Sequence, residues 1–365
     1  MKILFVSHIA NFQKFNRPYM RWFREQGWEV HYASFDDEPV TDVDFFHKID
    51  FRRNPFHPQN LKAFFQMVRL YKKYRFEIVH CHSPIGGIVA RAAAVFFPKI
   101  KILYTVHGFH FFKGAPRKNF LLYRTIEKLF ARRTDALVTI NEEDFESAKK
   151  FRLRRGGTIY HIPGVGVDTD LFFNATPIPK KELGIPENAF VVVTVAELIK
   201  RKNYRTSLRA FAKADLPNSY YLICGSVLLD GNAEISAIEE LIDALGIRDR
   251  VIFAGYRRDV ARLLKASDIF LLASYQEGLC ISIVEAMASG LPVVASRIRG
   301  NTELIAENGY LCEVSDVDAY AHALKKLYED PDLREKTREN SVKSSKRYDT
   351  RETVRQMGEI YRRYM

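Results

Sequence analysis

Ser274-Tyr275-Gln276-Glu277-Gly278-Leu279-Cys280-Ile281-Ser282-Ile283-Val284-Glu285-Ala286-Met287-Ala288-Ser289-Gly290-Leu291-Pro292-Val293-Val294-Ala295-Ser296 is the stretch around which the rest of the chain can be read. An apolar run at 268–273 leads into it and predicts a strand. A polar loop with Glu277 and Gly278 follows. A helix is predicted from about Cys280–Ser282 to Gly290, where glycine ends it, and the apolar run 291–296 predicts a second strand. Strand, loop, helix and strand in this order form a βαβ unit. The first N–H groups of its helix have no partner within the helix and form a place for a phosphate. Glu285, about one turn in, could accept two hydrogen bonds from a diol, and Glu277, before the helix, could hold sugar hydroxyls.

The same rhythm extends in both directions. Strands are expected at 2–7, 28–34, 76–81, 101–106, 135–140 and 158–162, and again at 189–196, 219–225, 250–255, 268–273, 291–296 and 309–312. Many are rich in Val and Ile with little alternation, as parallel strands covered on both faces are. Helix-like segments such as 203–214, 232–246 and 316–330 separate them. The expected fold is α/β, with two Rossmann-like doubly wound domains. The seam lies near 163–188, where Pro163, Pro177, Pro179 and Pro186 stand among Gly164, Gly166 and Gly184. Two such halves are expected to face each other across a cleft. Residues 1–165 form the first, 166–345 the second, and 346–365 a final helix returning to the first. No G-x-G-x-x-G follows the first strand, which weakens a dinucleotide oxidoreductase reading, and no Walker-type loop is present.

Glu277 and Glu285, separated by seven residues and followed by Ala-Met-Ala-Ser-Gly-Leu-Pro-Val-Val-Ala-Ser, resemble the E-x7-E signature of retaining family 4 glycosyltransferases with the GT-B fold. Val195-Ala196-Glu197-Leu198-Ile199-Lys200-Arg201-Lys202-Asn203 resembles that family's G-R-L-x-x-x-K-N loop. Lys202 matches the lysine that contacts the donor diphosphate. Glu197 replaces the usual arginine, and Arg201 or Arg299 is expected to supply the missing charge. His107, in Tyr104-Thr105-Val106-His107-Gly108-Phe109-His110-Phe111, matches the histidine that the family sets against the donor sugar. The resemblance spans essentially the whole chain. It is closest to the bacterial subgroup that builds capsule, exopolysaccharide or O-antigen repeat units on a lipid carrier.

The resemblance implies a retaining transfer of a hexose or N-acetylhexosamine from a nucleotide-sugar, UDP-linked in this subgroup, to a polyprenyl-diphosphate-linked saccharide. It implies His107 and Glu277 as catalytic residues. Glu285, Lys202, Arg201, Gly278, Leu279, Cys280, Ile281 and Arg299 are expected to bind the donor. His82, Gly86, Gly87 and His110 are expected on the acceptor side. The growing charge on the leaving diphosphate would be met by Lys202, nearby arginine and the helix N-terminus. No carboxylate suggests itself as a covalent nucleophile, so front-face attack assisted by the leaving phosphate is preferred. No Asp-x-Asp motif ends a strand, and no metal cofactor is expected. His80 and His82 flank Cys81 without a further ligand at suitable spacing, which argues against zinc.

Charge separates the two halves. Residues 1–165 carry 28 Lys+Arg against 15 Asp+Glu, or +13, and the remaining 200 carry 28 against 29, or −1. A one-sided basic field suits an anionic partner. Residues 60–75 place Leu61, Phe64, Phe65, Val68 and Tyr71 at helical spacing among Lys62, Arg69, Lys72 and Lys73. Residues 117–133 place Phe120, Tyr123, Ile126, Leu129 and Phe130 beside six basic residues. Both suit an anionic membrane surface, although one apolar stripe must also cover the sheet. Cys81, Cys224, Cys280 and Cys312 form no C-x-x-C pair, which fits a reducing cytoplasm. The first apolar run is too short for a signal peptide, and no apolar run is long enough to span a bilayer. The expected location is cytoplasmic, peripheral on the inner face of the cell membrane.

Three other readings remain at this level. A nucleotide-sugar 2-epimerase shares the two-domain fold but needs no basic acceptor-facing half. A nucleic-acid binder would use the basic half, but no recognition-helix, RNP-like or zinc-finger pattern supports it, and no nucleic-acid partner is expected. An inactive sugar-nucleotide-binding partner is suggested by Glu197.

Overall fold

A computed structural model describes residues 1–36, 39–226 and 232–365 of the chain. Its contacts divide it into two compact units, Met1–Gly166 with Thr350–Met365, and Val167–Asp349.

The first unit is built on seven strands: β1 (Lys2–Val6), β2 (Glu29–Ser34), β3 (Phe45–Lys48), β4 (Ile78–His82), β5 (Lys101–Val106), β6 (Ala136–Thr139) and β7 (Thr158–His161). They are all parallel, in the order β3-β2-β1-β4-β5-β6-β7. Ile3, Leu4, Phe5 and Val6 are wholly buried, as a central strand covered by helices on both faces requires. Each such side chain contributes about 1.5–3 kcal/mol by leaving water. The chain departs from the sequence reading at β3. Phe45-Phe46-His47-Lys48 is a four-residue edge strand, mostly exposed, and too short to produce a periodic signal.

Among the described residues the second unit has six strands: β8 (Phe190–Val195), β9 (Ser219–Cys224), β10 (Val251–Gly255), β11 (Ile269–Leu272), β12 (Val293–Ser296) and β13 (Gly309–Cys312). They are also all parallel, in the order β10-β9-β8-β11-β12-β13. In each sheet the winding reverses beside the first strand, between β1 and β4 and between β8 and β11. Ligands of doubly wound sheets bind beyond the carboxyl ends of the strands at such points.

Helix Thr350–Arg362 closes the first unit. Tyr361 stacks on Trp22 and meets Phe23 edge-on, with ring centroids 5.7 and 4.6 Å apart. Gly166, at φ +86°, lets this helix approach, because a Cβ there would lie 2.5 Å from Thr353 Oγ1 and 2.9 Å from Thr350 Cα. One residue later the chain is in the second unit, where Val167 bridges Asp349 in parallel. Among the described residues no helix is long and apolar enough to cross a membrane.

Candidate active site

In the second unit, the loops after β8 and β11 meet at the switch point. The β8 loop ends in the short turn Lys200–Lys202, and Asn203 then takes the left-handed conformation (φ 53°) that asparagine tolerates better than most residues. Its side-chain amide donates to Thr206 Oγ1, Ala273 O and Val314 O at 2.9, 3.0 and 3.1 Å. These bonds fasten the β8 loop to the end of β11. The sequence reading passed over Asn203 as a structural residue, although an asparagine directly before a helix was the available signal.

The anchored loops bring two cations to one carboxylate and a third to the backbone of the same residue. Lys202 Nζ donates to Glu277 Oε1 at 2.7 Å, and Arg201 Nη1 donates to Glu277 Oε2 at 3.1 Å. Arg201 also donates to Gln276 O at 2.8 Å, and Arg299 Nε donates to the backbone carbonyl of Glu277 at 3.2 Å. Lys202, Glu277 and Arg299 are each over nine-tenths buried, while Arg201 is exposed. Burial pushes the Glu277 carboxyl up, but the charges of Lys202 and Arg201 and the Lys202 hydrogen bond outweigh it and hold it below its ordinary value. Of the two arginines considered as replacements at Glu197, Arg201 stands at this carboxylate and Arg299 at the Glu277 backbone carbonyl, and Glu197 is exposed.

Gly278 and Leu279 follow in the loop, and Gly300 crosses directly over them. At φ +80°, a Cβ on Gly300 would lie 2.3 Å from Gly278 O. Helix Ile281–Ala288 begins after Cys280, which is extended (φ −84°, ψ 104°) and gives no side-chain cap. The first N–H groups of such a helix look outward for an acceptor. Glu285 lies half-buried one turn in. Ser296 Oγ donates to Ser274 O at 2.7 Å and Asn301 Nδ2 to Ser296 O at 3.1 Å, which ties the end of β12 to the same loop.

In the first unit, His107 follows β5. Its Nε2 lies 3.0 Å from His82 Nδ1, and the rings of Phe12 and Phe15 sit 5.2 and 5.5 Å from it. His80 is engaged elsewhere, through Nδ1 to Tyr361 O–H at 2.6 Å and Nε2 to Thr105 Oγ1 at 2.8 Å. Burial pushes the imidazolium pKa down to about 3 for His80 and about 4 for His107, and far down for His82, so all three are neutral near pH 7.

Gly86 and Gly87 open helix Pro84–Ala93. A Cβ on Gly86 would come within 3.1 Å of Ser7 Cα, and one on Gly87 within 2.7 Å of the Tyr104 ring. The close approach these glycines permit is thus by the chain's own β1 loop and β5. His82 is buried, and His110 is exposed beside the Tyr123 ring. The helix bearing the glycines is tied down by Arg91, fully buried, whose Nη2 donates to Glu127 Oε2 at 3.0 Å while Tyr104 O–H donates to Glu127 Oε1 at 3.0 Å. Sequence reading missed this ion pair, because its partners lie 36 positions apart.

With this geometry in view, known proteins give a consistent picture. The family described as "Glycosyl transferases group 1" matches residues 176–344, and "Glycosyl transferase 4-like" matches residues 2–141. The chain is 38% identical to the protein named as glycosyltransferase EpsD of Bacillus subtilis (strain 168), covering 100% of this chain and 97% of that one. It is 31% identical to the UDP-Gal:alpha-D-GlcNAc-diphosphoundecaprenol alpha-1,3-galactosyltransferase of Escherichia coli, over 74% of this chain and 71% of that one. Among solved structures, Anabaena Alr3699/HepE in complex with UDP and glucose superposes with a TM-score of 0.83 at 20% identity, over 99% of each chain.

Proposed function

The chain belongs to the group 1, 4-like glycosyltransferases of the GT-B fold, and we propose that it moves a hexose or N-acetylhexosamine from a UDP-sugar to a polyprenyl-diphosphate-linked saccharide, with retention of anomeric configuration. The observation that carries this reading is the cluster of Lys202, Arg201 and Arg299 around the buried Glu277 at the switch point of the second sheet. Replacing buried ion pairs by well-packed apolar residues is often neutral or stabilising, so the cluster has a task beyond holding the fold.

That task is to receive a nucleoside diphosphate. Lys202 carries three N–H donors and Arg201 five, so both keep donors for phosphate oxygens after pairing with Glu277. As the bond between sugar and diphosphate breaks, these cations and the N-terminus of helix Ile281–Ala288 stabilise the departing charge in place of a divalent cation. Glu277, held ionised, accepts from sugar hydroxyls. Glu285 takes the ribose diol. His107, neutral, donates to the sugar. The acceptor oxygen attacks from the face the diphosphate leaves, and a phosphate oxygen takes its proton.

The donor base is supported by the Escherichia coli relative, whose name gives UDP-Gal, and by the UDP in the Anabaena structure. The acceptor class is supported by the diphosphoundecaprenol in that relative's name. A site on the inner face of the cell membrane is supported by the basic surplus of residues 1–165 and by Leu61, Phe65, Leu121 and Leu129, exposed on helices Gln59–Tyr74 and Arg117–Ala131. The test is transfer from a panel of UDP- and GDP-sugars to polyprenyl-diphosphate saccharides, with EDTA present or absent, for the wild type and Glu285→Ala. Lipid-dependent transfer from one UDP-sugar, insensitive to EDTA and lost in the variant, is expected. Failure to turn over any donor would overturn the reading.

A further inference from the structure

Ser83 follows β4 at φ 64° and ψ 149°. Its neighbour explains half of this. Pro84 comes next, and a residue before proline is pushed to extended ψ. Such a residue ordinarily keeps φ at about −120°, whereas positive φ with extended ψ belongs almost wholly to glycine. The adjoining sequence sharpens the contrast. Gly86 and Gly87 stand where a Cβ would press on Ser7 and Tyr104. Ser83 stands where the backbone itself favours glycine, yet it carries a side chain and is only 3% exposed. Strain of this kind persists only where the surroundings over-determine it, and it gathers at functional sites.

The surroundings of Ser83 do over-determine it. Ser83 O accepts from Gly87 N–H at 2.9 Å, which starts helix Pro84–Ala93. Ser83 Oγ accepts from His8 N–H at 3.1 Å, 75 positions earlier in the chain. The residue before it, His82, shares the 3.0 Å hydrogen bond with His107. The loop caught by the Ser83 hydroxyl also leads to His107. Ser7 Oγ donates to Ile9 O at 2.7 Å, and the short turn Ala10–Phe12 follows. The Phe12 ring meets the His8 ring edge-on at 6.0 Å and the His107 ring edge-on at 5.2 Å. His107 thus has two supports, His82 and Phe12. Ser83 is joined to both, to His82 by the peptide bond and to the Phe12 loop through the His8 N–H.

We infer that Ser83 is a positioning residue for His107. Its strained backbone and its hydroxyl lock the exits of β1 and β4 together, so that His82 and Phe12 hold the His107 imidazole in one orientation. The inference rests on the reading that His107 meets the donor sugar, and deepens it by naming what aims that ring. Glycine at 83 would relax the turn and release the clamp.

The experiment uses the full chain with two substitutions. Ser83→Ala keeps the strain and removes the hydroxyl, and Ser83→Gly removes both. In each variant kcat is expected to fall about tenfold to a hundredfold, the effect of misplacing a reacting group slightly, with the donor KM and calorimetric UDP binding unchanged. Nitrogen chemical shifts of His107, read without substrate, should pass from one tautomer to a mixture. Ser83→Gly should unfold at a higher urea concentration than Ser83→Ala, the reverse of the order at an unstrained position, where glycine is the less stable of the two. Should Ser83→Ala fold poorly, Ser83→Gly carries the activity and chemical-shift tests alone.

Wild-type kcat in Ser83→Gly would overturn the inference. So would His107 shifts that stay at their wild-type values in the variants, because a purely structural role for Ser83 would leave them there. A urea midpoint for Ser83→Gly below that of Ser83→Ala would show that the backbone stores no strain, which removes the premise. If the wild type turns over no donor, the proposed function fails, and the His107 shifts decide the role of Ser83 by themselves.

Discussion

His82 Nδ1 and His107 Nε2 share a hydrogen bond of 3.0 Å, while the other ring nitrogen of His82 is buried with no partner among the described residues. Both rings are neutral, so one nitrogen donates and the other accepts. A buried N–H without an acceptor is rarer than a bare lone pair, which puts the His82 proton on Nδ1. His107 then accepts at Nε2 and carries its own proton on Nδ1, as a donor.

His107→Ala should lower kcat by about 10²-fold, the cost of removing one aimed donor, without changing the thermal midpoint much. His82→Ala should act more weakly, about tenfold in kcat/KM, because it frees the tautomer rather than removing the ring. Nitrogen chemical shifts of His107 would separate the two cases. A His107 that stays protonated at Nδ1 in His82→Ala would show that His82 does not position it.

The buried histidines also set a pH dependence. His80 and His107 titrate near 3 and 4 in the fold and near 6.5 when unfolded, so the unfolded chain binds more protons below pH 6.5. Their contribution is complete above about 6.5 and is lost as pH falls from there toward the folded values. Urea midpoints should therefore decline between about pH 6.5 and 5, before most carboxylates titrate. His80→Phe should flatten that decline, and an unchanged slope would contradict the assignment.

Lys202→Met leaves Glu277 buried with only Arg201 beside it. Loss of one partner from a buried pair costs about 3–5 kcal/mol, which urea denaturation would register. Lys202→Met with Glu277→Gln should recover most of that stability and none of the transfer activity. Recovery of activity in the double variant would mean that the pair serves the fold alone.

Two glycines at positive φ offer a comparison, Gly184 in the left-handed helical region (ψ 20°) and Gly300 outside it (ψ −42°). Gly184 has φ +72° and open space where a Cβ would go, whereas Gly300 has φ +80° and the Gly278 carbonyl in that space. Gly184→Ala should cost about 1–2 kcal/mol. Gly300→Ala should cost about 1–3 kcal/mol more and weaken UDP binding, because relieving the clash displaces the loop that carries Glu277. Calorimetry of UDP binding to the two variants would check this.

Much of this architecture could be read from the chain because buried parallel strands leave a local signature. Valine-rich runs such as β8 at 190–195 and the glycine stop at Gly290 carry their own boundaries. β3 carried none, being short and exposed. The contents of the second-unit site were legible for a similar reason, since Lys202 and Glu277 each sit in the loop that follows a strand. That they pair with each other was not, because 75 residues separate them. Ser83 (φ 64°) was invisible because a non-glycine residue in that conformation gives no sequence sign. Tyr361 was equally hidden, 281 positions from the imidazole it meets.

The return of helix Thr350–Arg362 to the first unit makes the order of manufacture differ from the order of completion. The strand that holds His80 and His82 leaves the ribosome well before helix Thr350–Arg362, and the hydroxyl that satisfies His80 Nδ1 arrives 281 residues later. The unit containing Val167–Asp349 is contiguous and can finish first, although domains otherwise tend to fold in the order they are made. Until the last turn emerges, a nascent chain exposes Trp22 and Phe23 where Tyr361 will lie. Tyr361 and its helix thus act as a latch on Trp22 and Phe23, and a product released before that helix would have one finished unit and one left open to chaperones and proteases.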